Sequence, residues 1–219
     1  MLLDIMQTIE QYCTLRNKIV LINMNIYTYD NIYVTDLVAF PKMNSDIFYQ
    51  KKYSKLRSLD CFNNTHITNL SHLKYSLEKL NCSSTYCSKS IIDRDSIKDL
   101  KKLRILDCSG NRNITSVNRF ADTLEELYCA GSNISQFGIS KLRKLTRFVC
   151  SEYIEDVNHL ASTLVMLDCT SSTYINQCGI SLLCNIKIFK CGSKCIYDLS
   201  HIADTLEELS CTSIYCKIG

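Results

Sequence analysis

The chain has 219 residues, 46% of them apolar, with no Trp and one Pro; this composition can bury a large core and is unlike that of a disordered protein. Its 25 basic and 22 acidic side chains are well mixed and give a net charge of +3, which indicates no basic face for nucleic acid. The 14 Cys residues form no C-x-x-C pair, which argues against the commonest structural zinc sites.

Residues 1–45 do not fit the repeat that follows them, and their apolar residues lie at helical spacing. Two or three short helices are therefore predicted. One interpretation is a cap that covers the first turn of a repeat array. The segment lacks a basic leader, and the apolar run 19–22 is too short to span a bilayer. These features predict a cytoplasmic protein with free thiols in a reducing compartment.

A second interpretation of this segment depends on two stretches. They read Leu3-Asp4-Ile5-Met6-x-x-Ile9-x-x-Tyr12-Cys13 and Lys18-Ile19-x-Leu21-Ile22-x-Met24-Asn25-x-x-x-Tyr29. Together they resemble a degenerate F-box, in which a Leu stands at the family's Pro position. The resemblance implies binding to the Skp-type linker of a cullin ubiquitin ligase. The side chains that it assigns to the linker interface are Leu3, Ile5, Ile9, Ile19, Leu21 and Ile22.

From residue 46 to residue 219 the phrase L-x-x-L-x-C recurs about every twenty residues and predicts eight repeats. The second Leu and the Cys alternate with their neighbours, so they lie on one face of a short strand. The preceding apolar residues, three and four apart, predict a short helical or 3₁₀ return segment. Odd and even repeats differ in this spacing, which indicates a paired unit of about 42 residues. The anchor cysteines are Cys61, Cys82, Cys108, Cys129, Cys150, Cys169, Cys191 and Cys211.

Stacking such units buries a continuous core and aligns their strands in one parallel sheet. The pattern resembles leucine-rich-repeat proteins, with Cys at the third consensus Leu, and implies an α/β repeat solenoid with a curved parallel sheet, short return segments and a small helical N-terminal segment. The Asn that the family has three residues after the Cys is present only at Asn64 and Asn111. The sequence therefore does not show which groups bond the backbone in the other turns. The combination with an F-box-like segment resembles F-box and repeat proteins of giant amoeba viruses, which would place the protein in the host cytoplasm.

The residues that usually carry catalysis follow the repeat register here. His72, His159 and His201 each stand ten residues before an anchor Cys, so they are predicted to be polar residues of return segments. Gly138 and Gly179 lie in matching Q-x-G-I-S phrases and are predicted to be turn glycines. With no phosphate-binding loop or nucleophile elbow in the sequence, no catalytic or metal-binding residue and no cofactor is predicted, and the chain is not expected to be an enzyme.

The residues flanking each inward Leu and Cys are predicted to form outward columns that bind a protein partner. The function is either substrate adaptor of a cullin-type ubiquitin ligase, or a plain interaction module with a cap and no ubiquitin link. Tyr128 is the most hot-spot-like group, Glu126 and Arg147 are expected to pair, and the last strand edge could join copies of the chain. The predicted partner-binding residues are Lys79, Ile105, Asp107, Glu126, Tyr128, Arg147, Met166, Asp168 and Lys190.

Overall fold

A computed structural model describes residues 33–40, 42–85 and 90–211. Its strands form one parallel sheet of nine, ordered as in the sequence. Each strand pairs with the strand of the next turn, so the predicted leucine-rich-repeat solenoid is confirmed. The strands are β1 Asp36–Val38, β2 Ser58–Asp60, β3 Lys79–Asn81, β4 Ile105–Asp107, β5 Glu126–Tyr128, β6 Arg147–Val149, β7 Met166–Cys169, β8 Ile188–Cys191 and β9 Glu208–Cys211.

Two kinds of return segment alternate between the strands. Short α-helices precede β4, β6 and β8, whereas 3₁₀ turns precede β3, β5, β7 and β9. This alternation matches the two apolar spacings in the sequence. The helices are α1 Arg94–Ile97, α2 Gln136–Ile139 and α3 Gln177–Ile180, and the 3₁₀ turns are Ser45–Tyr49, Lys51–Tyr53, Ser71–Leu73, Asn118–Phe120, Asn158–Leu160 and Ser200–Ile202.

Strand β1 lies within residues 1–45, where the sequence predicts only a helical segment. Leu37 of β1 pairs in register with Leu59 of β2. Val34 and Ala39 then occupy the places that Leu56 and Cys61 hold in the next turn. The sheet therefore begins one turn before the first predicted repeat. The rest of the predicted helical segment, residues 1–32, lies outside the described residues.

The core is built of equivalent apolar positions that stack from turn to turn along the solenoid. In one turn Ile67, Leu70, Leu73 and Leu77 are fully buried, and Leu80 is 2% exposed. Fully burying one such side chain contributes about 1.5–3 kcal/mol. A single turn cannot shield these groups, because the atoms that cover them belong to the turns on either side.

The anchor cysteines contribute a polar contact as well as apolar volume. The thiols of Cys61 and Cys129 donate to the backbone carbonyls of Asn81 and Val149 on the following strands, at 3.1 and 3.2 Å. Cys is thus a buried small hydrophobe with a weak donor, which a Leu at this position would lack.

Buried side chains satisfy the backbone where neighbouring turns meet. The Asn111 amide donates to the carbonyls of Cys82 and Ile92 and accepts from the Asn113 N–H. Asn64 bridges its own turn and the preceding one in the same way. These two residues therefore have the role that the family resemblance implies.

Serines take over this role where the asparagine is missing. Ser172 donates to the Ile154 carbonyl at 2.7 Å and accepts from the Ile175 N–H at 3.3 Å. Ser151, which the register predicts on the outside, is fully buried and donates to the Ile134 carbonyl. In these two turns a serine hydroxyl therefore satisfies backbone groups where the asparagine amide is missing.

Gly138 and Gly179 are not turn glycines, because they lie inside α2 and α3. A Cβ atom at Gly179 would clash with the backbone carbonyl of Glu155, and one at Gly138 with that of Thr115. The carbonyl of Gly179 also accepts the Val157 N–H at 2.9 Å. Glycine here permits the close approach of adjacent turns.

Replacing Asn111 by Ala should lower the free energy of unfolding by about 1–3 kcal/mol, because buried carbonyls lose their donor. Urea denaturation followed by circular dichroism measures this loss. Asn133→Ala is the control, since the exposed Asn133 makes one bond, to the Arg112 carbonyl, and should change stability by less than about 0.5 kcal/mol. An equal loss in both variants would contradict the buried bridging role of Asn111.

Candidate functional site

The strand register arranges the outward side chains in two columns, which together are called the concave face. Side chains alternate along each strand, so the inward Leu is flanked by one outward residue on each side. All nine predicted partner-binding residues lie in these columns. The first column is Asp36, Ser58, Lys79, Ile105, Glu126, Arg147, Met166, Ile188 and Glu208, and the second is Val38, Asp60, Asn81, Asp107, Tyr128, Val149, Asp168, Lys190 and Ser210.

The exposure of the predicted residues on this face varies. Lys79 and Arg147 are exposed, whereas Met166 is only 7% exposed. Met166 stands between Arg147 and Ile188 in its column, and packing there leaves little of it for a partner. The expectation that Met166 is an exposed contact group is therefore wrong. The other predicted residues, Ile105, Asp107, Glu126, Tyr128, Asp168 and Lys190, are half-buried.

Tyr128 lies on β5, the middle strand of the described sheet, and its hydroxyl is held in place. It donates to a Glu126 carboxylate oxygen at 2.8 Å. Burial and this carboxylate raise the pKa of Tyr128, while Arg147 acts in the opposite direction. The predicted ion pair between Glu126 and Arg147 is absent from the described part of the chain. The Glu126 carboxylate binds the phenol instead.

Two ion pairs lie one residue before the first column, where strands begin. Arg104 contacts Glu125 through Nε at 2.9 Å and Nη2 at 2.6 Å, and this pairing lowers the pKa of Glu125. Lys187 and Glu207 form an equivalent pair at 2.6 Å. Such exposed pairs stabilise little, but they join β4 to β5 and β8 to β9.

Acidic and amide side chains of the second column accept backbone N–H groups of the residues that follow the strands. Asp107 Oδ1 accepts the Ser109 N–H at 2.9 Å, and Asp60 Oδ1 accepts the Phe62 N–H at 3.0 Å. Asn81 and Asp168 make the same contact two residues on. Sequence reasoning missed this role, although an Asp or Asn just after an apolar strand residue is a recognisable turn signal, because its side chain can bond the backbone two residues on.

A shallow depression of about 240 Å³ lies on the concave face over β2, β3 and β4. Tyr128 of β5 contributes to its lining. The other outward side chains that line it are Ser58, Asp60, Lys79, Asn81, Ile105 and Asp107.

The three histidines predicted on return segments, His72, His159 and His201, lie there. The Nε2 atoms of His159 and His201 are 3.2 and 3.0 Å from the backbone carbonyls of Ile139 and Ile180 in the preceding turns. Within residues 33–40, 42–85 and 90–211, no group of three His, Cys, Asp or Glu side chains is placed to hold a metal ion. No helix in these ranges has the length and apolar character needed to cross a bilayer.

The side chains that the F-box resemblance assigns to a linker interface lie outside the described residues. They are Leu3, Ile5, Ile9, Ile19, Leu21 and Ile22.

Comparison with known proteins relates the fold to solved structures. No protein-family model and no curated protein matches this sequence. The chain is similar to internalin C2 of Listeria monocytogenes, with 20% sequence identity and a TM-score of 0.60 over 82% of this chain and 81% of that chain. It is also similar to an internalin (inlF) of the same organism, with 18% identity and a TM-score of 0.45 over 82% and 67% of the two chains. The fold is that of a leucine-rich-repeat protein. At such identity the likeness concerns the fold alone.

Native thiol reactivity should separate two classes of cysteine. Burial raises the pKa of Cys82 and Cys129 to about 12, so both stay protonated and unreactive at pH 8. Cys178, Cys184 and Cys195 are exposed and should be alkylated by iodoacetamide, as peptide mass spectrometry can show. Unfolding in guanidinium should expose the buried thiols to the reagent. Labelling of Cys82 as fast as Cys178 in the folded protein would refute this arrangement.

Proposed function

We propose that this chain recognises a protein partner through the concave face. The observation that supports the proposal is the register, which sets eighteen outward side chains in two ordered columns. Strands about 4.8 Å apart make such a face roughly 38 Å long across nine strands. The face combines charged, amide, aliphatic and aromatic groups on a sheet scaffold, as protein interfaces do.

The centre of the face has the residue types that dominate binding energy. Tyr128 lies on the central strand β5, with Arg147 on the next strand and Ile105 on the preceding one. Binding hot spots are enriched in Tyr and Arg and cluster near the middle of an interface. The bond from Tyr128 to Glu126 reduces the side-chain freedom that binding would otherwise remove.

The finer form of the proposal makes the chain a substrate adaptor of a cullin-type ubiquitin ligase. The F-box-like segment would bind the Skp-type linker in the host cytoplasm, and the concave face would bind the substrate. This form depends on the sequence resemblance of residues 1–35.

An observation on the first turn favours the alternative, a plain interaction module with an N-terminal cap. Val34 and Met43 are 3% exposed and Leu37 is 2% exposed, close to the values of the interior core. Leu206 and Leu209 of the last described turn are more exposed than these residues. Those two partly buried residues also support the proposal that copies of the chain associate at the β9 edge.

The concave face can be tested with a photo-crosslinking phenylalanine analogue at position 128. In a eukaryotic lysate it should form a discrete adduct, whereas the same group at Phe137, which is 77% exposed on α2, should not. The captured protein is then identified and purified. Tyr128→Ala should weaken its binding at least about tenfold, and Phe137→Ala should leave it unchanged. Equal effects of the two substitutions would contradict recognition through the concave face.

The adaptor form is tested with a purified Skp-type linker and two chains. One chain is full length and the other starts at residue 33, which keeps the buried Val34 and all of β1. Capture by the full chain alone, with both chains equally stable in urea, is the expected result for an adaptor. If neither chain binds and the shorter one is less stable, the segment is a cap and the adaptor form fails.

A further inference from the structure

The depression over β2–β4 is small and open towards the partner side of the sheet. Its volume of about 240 Å³ is below the roughly 300–1,000 Å³ of pockets that enclose drug-sized ligands. It therefore fits one long side chain of a docking protein better than a cofactor. Its floor includes the buried Leu59 and Leu80, which prevents deeper entry.

Two carboxylates of the depression have unused acceptor capacity. Asp60 and Asp107 lie in the second column on either side of Asn81, roughly 9.6 Å apart by strand spacing. Each uses Oδ1 to hold a strand exit. Among the described residues, neither Oδ2 accepts a hydrogen bond or belongs to an ion pair. On the same face Lys190 and Glu208 neutralise each other at 3.2 Å.

The apolar wall of the depression complements these carboxylates. Ile105 offers an aliphatic surface, and Tyr128 offers a ring whose hydroxyl is fixed by Glu126. An arginine side chain packs its methylene groups on aliphatic surface, stacks its planar guanidinium on an aromatic ring, and donates to carboxylates. The combination suits arginine better than a neutral or acidic group.

Lys79 is the one basic side chain in this lining, and it is exposed. It belongs to the first column and lies two residues before Asn81 on strand β3. Its ammonium repels a cation and attracts a carboxylate. Asp60 and Asp107 outnumber it, so the net charge of the lining side chains is negative. Removing Lys79 should therefore strengthen the binding of a cationic side chain and weaken that of an anionic one.

From this geometry we infer that the depression receives an arginine side chain of the partner, an assignment that rests on the proposed recognition by the concave face. The guanidinium lies between Asp60 and Asp107 against the Tyr128 ring. The arginine therefore anchors the partner on the N-terminal half of the face, next to the central strand.

The test is a titration of the full chain, labelled with ¹⁵N, with three capped peptides, acetyl-Leu-Xaa-Leu-amide, in which Xaa is Arg, Gln or Glu. The arginine peptide should shift the amide signals of Asn81, Asp107 and Tyr128 saturably and bind most tightly. Asp60→Asn and Asp107→Asn should each weaken it about 1.5- to fivefold, the range expected for an exposed ion pair. Lys79→Ala should strengthen it.

Asp156→Asn is the matched control. Asp156 Oδ1 accepts the Asn158 N–H as Asp107 Oδ1 accepts that of Ser109, but Asp156 lies between β6 and β7, outside the concave face and the depression. Asparagine keeps this turn contact, as Asn81 shows. The control variant should therefore bind the arginine peptide like the original chain.

Tighter or equal binding of the glutamate or glutamine peptide overturns the inference, and so does weaker arginine binding in Lys79→Ala. The proposed function is tested separately by the crosslinked partner. If Tyr128→Ala abolishes partner binding while Asp60→Asn and Asp107→Asn do not change it, the arginine assignment fails and recognition by the concave face stands. If the arginine peptide binds as expected but no partner depends on Tyr128, the proposed function fails instead.

Discussion

The structure depends on one constraint, that no turn of the chain can bury its own apolar residues. Leu59, Leu80 and Leu106 are shielded only because β2, β3 and β4 pair in unbroken parallel register. That register requires adjacent turns to approach to about 4.8 Å. Glycine in α2 and α3, the amides of Asn64 and Asn111, and buried serine hydroxyls all serve this approach, because each removes bulk or satisfies a backbone group at the contact.

Most of the fold could be predicted because one phrase sets both the strand and its register. A period of two places Leu and Cys inward, and repetition places equivalent residues side by side. Strand β1 was not predicted, because Ala39 occupies the position that Cys holds in the repeated L-x-x-L-x-C phrase. The helical glycines Gly138 and Gly179 were misplaced for a different reason, since a Q-x-G-I-S phrase gives no sign that a carbonyl of the previous turn will lie against it.

The candidate site was predicted column by column, but the behaviour of single residues was not. Periodicity gives the side of the sheet on which a side chain lies, whereas exposure depends on the size of its neighbours, as the burial of Met166 shows. Pairing depends on side-chain geometry in the same way. Glu126 faces Arg147 in register, yet its carboxylate binds the Tyr128 hydroxyl on its own strand. Exposure and side-chain pairing thus depend on the three-dimensional arrangement of neighbours, which the repeat pattern does not encode.

The two sides of the sheet use their ionisable side chains in opposite ways. The inward thiols are buried beside one another, and burial keeps their pKa values high, so they act as apolar filling rather than as nucleophiles. The outward aspartates, in contrast, offer polar atoms on the concave face. One oxygen of Asp60 or Asp107 fixes the backbone, and the other accepts no hydrogen bond within the described part of the chain. At β2 and β4 the aspartate that fixes the end of the strand therefore also supplies the acceptor on which the proposed arginine contact depends.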